Sequence, residues 1–406
     1  MPRVKCRFCG EPTLLVMNFG PMPIANYFRP LEQSSPAWFE LVTRICESCG
    51  LFQLENQPDP DVMFNEDYPF FTGLSSTMTK HFQGMVNSVL NSSEKKSQEF
   101  VVEIGCNDGT ALNFVKNKGI RHLGIDPSEN VVKRAISKGV TVKKAFFTES
   151  LARDIVRDSG PASHVYAANV VCHIPDLWDF ARGVSHLVGE NGIFVFEEPY
   201  ILDMLIKTSY DQIYDEHVYM FSINSVSNIF SKFGMKLFDA EKQSTHGGSM
   251  RYFLSRSDEK LTSIRLKRLM AEEEEYGVSK LENFGTFIDR CKRNKVHLVK
   301  LLNDLKFKGK TVAGYAATSK STTVLNYCGI GSDLIQCIYD STPEKIGCVT
   351  PGSQIPIKDQ DIMRSYPPDY LVLFAWNHKE EILQKEKDRL PKHQRWIHLV
   401  PEVEVV

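Results

Sequence analysis

The stretch EFVVEIGCNDGTALNFVKNKG, residues 99–119, decides the fold. EFVVEIG is an apolar run of the kind a buried strand requires, and GTALNFVKNKG reads as a helix closed by Gly119. The unit then repeats. HLGID is a second strand, and SENVVKRAISKG a second helix with Ser128 as N-cap and Gly139 at its end. VTVKKAFF, SHVYAANVV and GIFVFEE continue the strands, with helices such as DLWDFARGVSHLV between them. This alternation predicts an α/β fold with a parallel, doubly wound sheet, in which ligands bind at the carboxyl ends of the strands.

The turn after the first strand runs Glu103-Ile-Gly105-Cys-Asn107-Asp108-Gly109. It is not the G-x-G-x-x-G of dinucleotide enzymes, whose three glycines let the backbone reach a pyrophosphate. S-Adenosylmethionine (SAM) has no phosphate, and two glycines suffice for its methionine portion to lie against such a turn. Asp126, ending the second strand, is placed to accept hydrogen bonds from both ribose hydroxyls. The sheet is therefore expected to be of the class I SAM-methyltransferase type. Glu103, Gly105, Asn107, Asp108, Gly109, Asp126 and Asn169 form its expected cofactor set. Asn169 and His173, in AANVVCHIPD, fall at the carboxyl edge, where substrate and methyl donor would meet.

Two C-x-x-C-G knuckles, CRFCG and CESCG, place Cys6, Cys9, Cys46 and Cys49 as a four-thiolate set for tetrahedral Zn²⁺. With no position left for water, the expected zinc is structural. The glycine after each pair permits the tight reversal that a knuckle needs. Residues 10–45, between the pairs, exceed the usual spacing and must form a small subdomain of their own. From Lys310 a further α/β unit begins. TVAGYAA is a strand, TSKSTTVLNYCG a loop and helix, and LIQCIYD, YLVLFAW and WIHLV are further strands. Thr318, Ser319, Lys320 and Ser321 at that helix N-terminus could receive a nucleotide diphosphate, although the loop is no P-loop. The expected division is a zinc-binding subdomain over 1–72, a methyltransferase domain over 73–296 and a Rossmann-like C-terminal domain over 297–406. The charged run AEEEEYG inside residues 257–305 reads as a solvated helical face.

Composition narrows the classes. The 406 residues, 42% hydrophobic and 24% charged, are those of a multidomain globular protein. A net charge of −2 and the absence of aromatic–basic clusters argue against nucleic acid as a partner. No long apolar run predicts a membrane span, and MPRVKCRFCG has no signal core, so a cytoplasmic location is expected. In that compartment the ten cysteines are not expected to form disulfides.

Two further stretches concentrate chemistry. QIYDEHVYMFS, residues 212–222, carries Tyr214, Asp215, Glu216, His217 and Tyr219. THGGSMRYF places His246 before Gly247 and Gly248, which supply a turn or a close approach to a ligand.

Taken in order, the knuckles, FGPMPIANYF, VVEIGCNDGTAL, GIDPSENV, YDEHVYMFS, HGGSMRYF, GYAATSKSTTVLNYCGI and YLVLFAWNHKEEI give the chain a family likeness. It resembles the zinc-containing, three-domain C-methyltransferases that act on nucleotide-linked 4-keto-deoxysugars, over nearly its whole length. The resemblance implies that His217 is the general base removing the sugar C3 proton, with Tyr214 and Glu216 in support. It also implies that Tyr68, in EDYPFF, and His173 line the site. Val218-Tyr219-Met220, where a Ser-Tyr pair is commoner, and GCND in place of GSND are departures that bear on which sugar is used. A ketone acidifies the neighbouring C–H, so a base near neutral pH generates the carbon nucleophile. Glu216 is expected to orient the imidazole. Tyr68, Tyr214 or His173 would stabilise the enolate oxygen. His246, Gly247, Gly248, Ser319, Lys320 and Ser321 would bind the substrate. A monomer is expected. The rival expectations are methylation of oxygen, nitrogen or another carbon acid, and a non-catalytic zinc- and SAM-binding protein.

Overall fold

The structure is a computed structural model and describes residues 4–31, 38–63, 71–92 and 99–406. Its strands form three sheets of seven, six and four strands. In the seven-stranded sheet the spatial order is Lys236–Gln243, Ser249–Ser255, Val188–Pro199, Ala162–Ala168, Phe100–Ile104, Arg121–Asp126, Val142–Lys144. All neighbours are parallel except that Ser249–Ser255 runs antiparallel to both of its partners. Phe100–Ile104, whose five residues are all buried, is an interior strand, paired on both sides, as its largely apolar run requires. The chain leaves it first toward Arg121–Asp126 and later returns on its other side at Ala162–Ala168. The carboxyl ends of these two strands therefore flank the topological switch point. The stretch VTVKKAFF contributes only Val142–Lys144 to the edge.

The six-stranded sheet repeats the plan, with Val312–Tyr315 between Ile338–Asp340 and Tyr370–Leu373. The four-stranded sheet joins Leu14–Pro23, Trp38–Ile45 and Phe52–Leu54 to Tyr219–Met220. Its last strand thus comes from the middle of the chain, inside QIYDEHVYMFS. No helix among the described residues is long and apolar enough to cross a membrane.

One local expectation holds in position and one is corrected. Ser128 stands at the N-cap of Glu129–Ser137, but its side chain makes no capping bond; its amide donates to Asp126 instead. The run AEEEEYG is not wholly solvated. Within the helix Ile264–Tyr276, Glu273 is 3% exposed and accepts from the Tyr200 hydroxyl and the amides of Ile223 and Asn224. It thereby satisfies the open N-terminus of the helix Ile223–Ser231. Glu273→Ala would strand these buried donors and is expected to lower stability by about 2–4 kcal/mol, measured by denaturant unfolding. A loss below about 0.5 kcal/mol would match the solvated reading instead.

Candidate active site

The SAM loop is braced from several directions. Gly105 and Gly109 both have φ 71°. A Cβ on Gly105 would lie 2.2 Å from Val170 Cγ2, and one on Gly109 3.0 Å from Ala135 Cβ. Both glycines are therefore demanded by packing and backbone conformation before any ligand is considered. Asn107 and Asn169 take positive φ at the ends of their strands, a conformation asparagine tolerates. Asp126 accepts the amides of Asn107 at 2.9 Å and Ser128 at 3.0 Å, so it shapes the turn. Burial raises its pKa. Glu103 lies beneath the turn, 5% exposed, where burial raises its pKa and the Tyr166 hydroxyl donates to it at 3.0 Å. Asp108 is fully buried, bonded to Thr110 at 2.7 Å and paired with Lys138 at 3.0 Å. The amides of Thr72 and Gly73 donate to Asn107 and Asp108, laying the chain before the helix Ser76–Leu90 over the loop.

The second cluster is built from QIYDEHVYMFS. His217 is 6% exposed, and both of its ring nitrogens are engaged. Nδ1 lies 2.7 Å from the Gln212 carbonyl oxygen, and Nε2 lies 2.7 Å from the Tyr214 hydroxyl. A carbonyl can only accept, so Nδ1 carries the proton and Nε2 is the basic atom. Burial holds the His217 pKa well below the usual histidine value, so the ring is neutral. Its orienting partner is a backbone carbonyl rather than the expected Glu216 carboxylate, which accepts from Asn26 Nδ2 at 2.6 Å. His173 stacks on His217 with centroids 5.5 Å apart, and burial lowers its pKa to about 4. The Val218 amide donates to the Cys172 carbonyl, tying the two histidine segments together beside Asn169. Tyr68 lies outside the described residues.

A third set comes from the junction with the C-terminal sheet. His246 has φ 53°, and burial lowers its pKa to about 3. Gly247 and Gly248 have φ 88° and 133°, and a Cβ on Gly247 would fall 2.0 Å from Trp376. Gly247 is thus the seat of the Trp376 ring, whose Nε1 donates to Asp211 at 2.6 Å, while Gly248 packs against Asp203. Burial raises Asp211 to about 6 against the pull of Lys320. Lys320 is 8% exposed, and its charge acts on His217, His246 and His378. Ser319 adjoins the Tyr214 phenol, whose pKa burial raises and the Ser319 hydroxyl lowers. Thr318 and Ser321 cap each other at the N-terminus of Ser319–Cys328, so their hydroxyls are already committed.

The four knuckle cysteines converge. Cys6 and Cys49 sulfurs are 3.7 Å apart and those of Cys9 and Cys46 3.5 Å. A tetrahedral Zn–S₄ centre with bonds of about 2.3 Å has sulfur–sulfur edges of about 3.8 Å, so the set fits zinc. The amides of Gly10 and Gly50 donate back to the Cys6 and Cys46 carbonyls, both glycines at φ 75°.

Over 410 aligned residues, covering 100% of this chain and 97% of the relative, the sequence is 32% identical to the C-methyltransferase NovU of Streptomyces niveus. The chain belongs to this C-methyltransferase family. Residues 6–64 match the family described as a putative zinc binding domain, 82–239 a methyltransferase domain, and 244–401 a C-methyltransferase C-terminal domain. Among solved structures, magnesium protoporphyrin IX methyltransferase from Synechocystis with bound SAM is 16% identical. That match covers 44% of this chain and 79% of that one, with a TM-score of 0.34. A SAM-dependent methyltransferase from Archaeoglobus fulgidus is 17% identical, covering 41% and 72%, with a TM-score of 0.34. This C-methyltransferase uses SAM as its cofactor and carries a zinc-binding module.

Several residues bonded into these clusters escape a linear reading. Gln212 acts through its carbonyl, which no side-chain motif reports. Asp211, Trp376 and Asn26 reach the site from separate elements. Glu197, 1% exposed, binds His81 at 2.6 Å, Thr245 at 3.0 Å and Arg251 at 2.9 Å. The signal for it was an acidic pair ending the apolar strand GIFVFEE.

Proposed function

We propose that this C-methyltransferase deprotonates a nucleotide-linked 4-keto sugar at C3 and methylates the resulting enolate. The observation that carries the reading is the chain Gln212 C=O, His217 Nδ1–H, His217 Nε2, Tyr214 O–H, beside the carboxyl ends that flank the SAM loop. It presents a neutral imidazole whose free tautomer is fixed, as a general base requires. SAM supplies the electrophilic methyl group. In the proposal Gly105, Gly109, Asp126 and Asn169 cradle it, while Glu103, Asn107 and Asp108 hold the turn in shape.

His217 Nε2 takes the C3 proton, relayed through the Tyr214 oxygen that is bonded to it. His173, stacked on His217, donates to the enolate oxygen, a role the family resemblance also gives to Tyr68. The Lys320 ammonium, Ser319 and the helix N-terminus they occupy draw the negative charge of the substrate. In the proposal the sugar lies between the two larger sheets, beside His246 and the Gly247–Gly248 turn, where Gly247 packs on Trp376. Burial of these groups excludes water from the enolate.

The test is incubation with SAM and a panel of nucleotide-linked 4-keto sugars, with products read by mass spectrometry and NMR. A new carbon-bound methyl at C3 supports the proposal. Methyl transfer to oxygen or nitrogen alone, or none to any keto sugar despite SAM binding, refutes it. The pH profile is a second check. The base acts when deprotonated, and burial lowers the His217 pKa, so it stays active as pH falls through the ordinary histidine value. kcat/KM is expected to be flat from pH 8 to about 6, with its acidic limb below. A limb centred at about 6.5 or above would remove His217 from the role.

A further inference from the structure

The four-stranded sheet threaded between and after the zinc knuckles ends inside the segment that carries His217. Phe52 pairs with Met220 and Gln53 with Tyr219, and the Leu54 amide donates to the Val218 carbonyl at 2.8 Å. His217 therefore sits two residues before a strand that the zinc module recruits, separated from it by Val218 alone. The neighbouring side chains are gripped from the same side. The Ala25 amide donates to Asp215 Oδ1 at 3.0 Å, and Asn26 Nδ2 to Glu216 Oε1 at 2.6 Å. Gln57 Nε2 donates to the His173 carbonyl at 3.2 Å. The knuckle end is tied to the same strand, since the Arg7 amide donates to Gln53 Oε1 at 2.8 Å and Arg7 Nε to the Leu54 carbonyl at 3.1 Å.

From these contacts we infer that the zinc module is the positioning clamp of the base, with Asp215, Asn26 and Gln57 as positioning residues that fix the His217 and His173 backbones. Asp215 and Glu216 then have a shared task that is distinct from proton transfer. They anchor the turn whose Gln212 carbonyl selects the His217 tautomer. Asp215 is fully buried and uses one oxygen as an acceptor, so an uncharged amide oxygen serves equally well. The thiolates Cys6, Cys9, Cys46 and Cys49 hold the module rigid through the metal, and the rigidity is delivered to the imidazole through Phe52–Leu54.

The inference rests on His217 as the base, but its test does not. The imidazole nitrogens of histidine-labelled, zinc-loaded protein are read by ¹⁵N NMR, with His217 assigned by its loss in His217→Asn. The wild type should show one fixed tautomer, protonated at Nδ1. Asp215→Ala should lose that signature, giving averaged or shifted nitrogens, while zinc content and SAM affinity stay within about twofold of wild type. Asp215→Asn should restore it. Asn26→Ala, at a half-exposed position, should give a partial loss, which guards against a misfolded Asp215→Ala. If C3 methylation holds, kcat falls about 10–100-fold in Asp215→Ala with little change in KM for SAM. Chelation of the zinc should erase the tautomer signature while SAM still binds. A signature that survives both variants and chelation overturns the inference, whatever the substrate proves to be.

Discussion

His217→Asn is expected to lower methyl transfer by about 10³-fold while SAM affinity stays within about twofold. Asparagine keeps much of the shape and can still donate toward the Gln212 carbonyl, but it has no atom that takes up a proton. The Tyr214 hydroxyl, now 2.7 Å from a group that is not basic, loses the acceptor that makes it a relay. Tyr214→Phe should cost about 10²-fold by the same logic, because His217 Nε2 persists but no longer touches the relayed proton. The cofactor turn is built from Gly105, Gly109 and Asp126, none of which contacts His217 by hydrogen bond, so SAM binding is the internal control. Steady-state kinetics and calorimetry read both numbers. Activity within about tenfold of wild type would move the base elsewhere, with His173 and His246 the next candidates.

Removing zinc is expected to have the largest effect on stability. Cys6, Cys46 and Cys49 are 4%, 0% and 5% exposed, so without the ion their sulfurs crowd together with no cation between them. Structural zinc sites contribute on the order of 10 kcal/mol of folding energy in small modules. The module here also packs on the central domain, Phe8 lying 5.1 Å from Trp178, so part of it should remain associated. Chelation, or Cys46→Ser, is expected to add a separate low-temperature unfolding transition, read by calorimetry with zinc content measured in parallel. An unchanged single transition after full metal loss would contradict a structural zinc.

The sequence made the central sheet legible because burial on both faces leaves a direct record. Phe100–Ile104 reads as an apolar run, and Gly105 and Gly109 mark the only conformations its turn can take. The zinc set was equally plain, since four thiolates at matched spacing have few other uses. Pairings across the chain were not legible. Nothing in VYMF announces that Tyr219–Met220 completes the sheet of residues 14–54, because a two-residue strand carries no periodicity of its own. The expected His217–Glu216 pair failed for a related reason: adjacent side chains point apart, and the tautomer was set by a backbone carbonyl. Glu273 misled because a charged run is solvated on average, while one member facing inward is decided by the unfilled helix N-terminus it meets. At Ser319–Cys328 nothing in the sequence announced that Thr318 and Ser321 cap each other, each hydroxyl accepting the other's amide.

The most direct test of the central claim is hydrogen exchange at sugar C3. The protein is incubated in deuterated water with a nucleotide-linked 4-keto sugar and S-adenosylhomocysteine, so that deprotonation proceeds without methyl transfer, and C3 is followed by NMR. Enzyme-dependent deuterium incorporation at C3, abolished in His217→Asn and strongly slowed in Tyr214→Phe, is the predicted result. Exchange at C3 that is the same in His217→Asn as in wild type, or a C3 methyl product formed by a protein that never exchanges the C3 hydrogen, would contradict it.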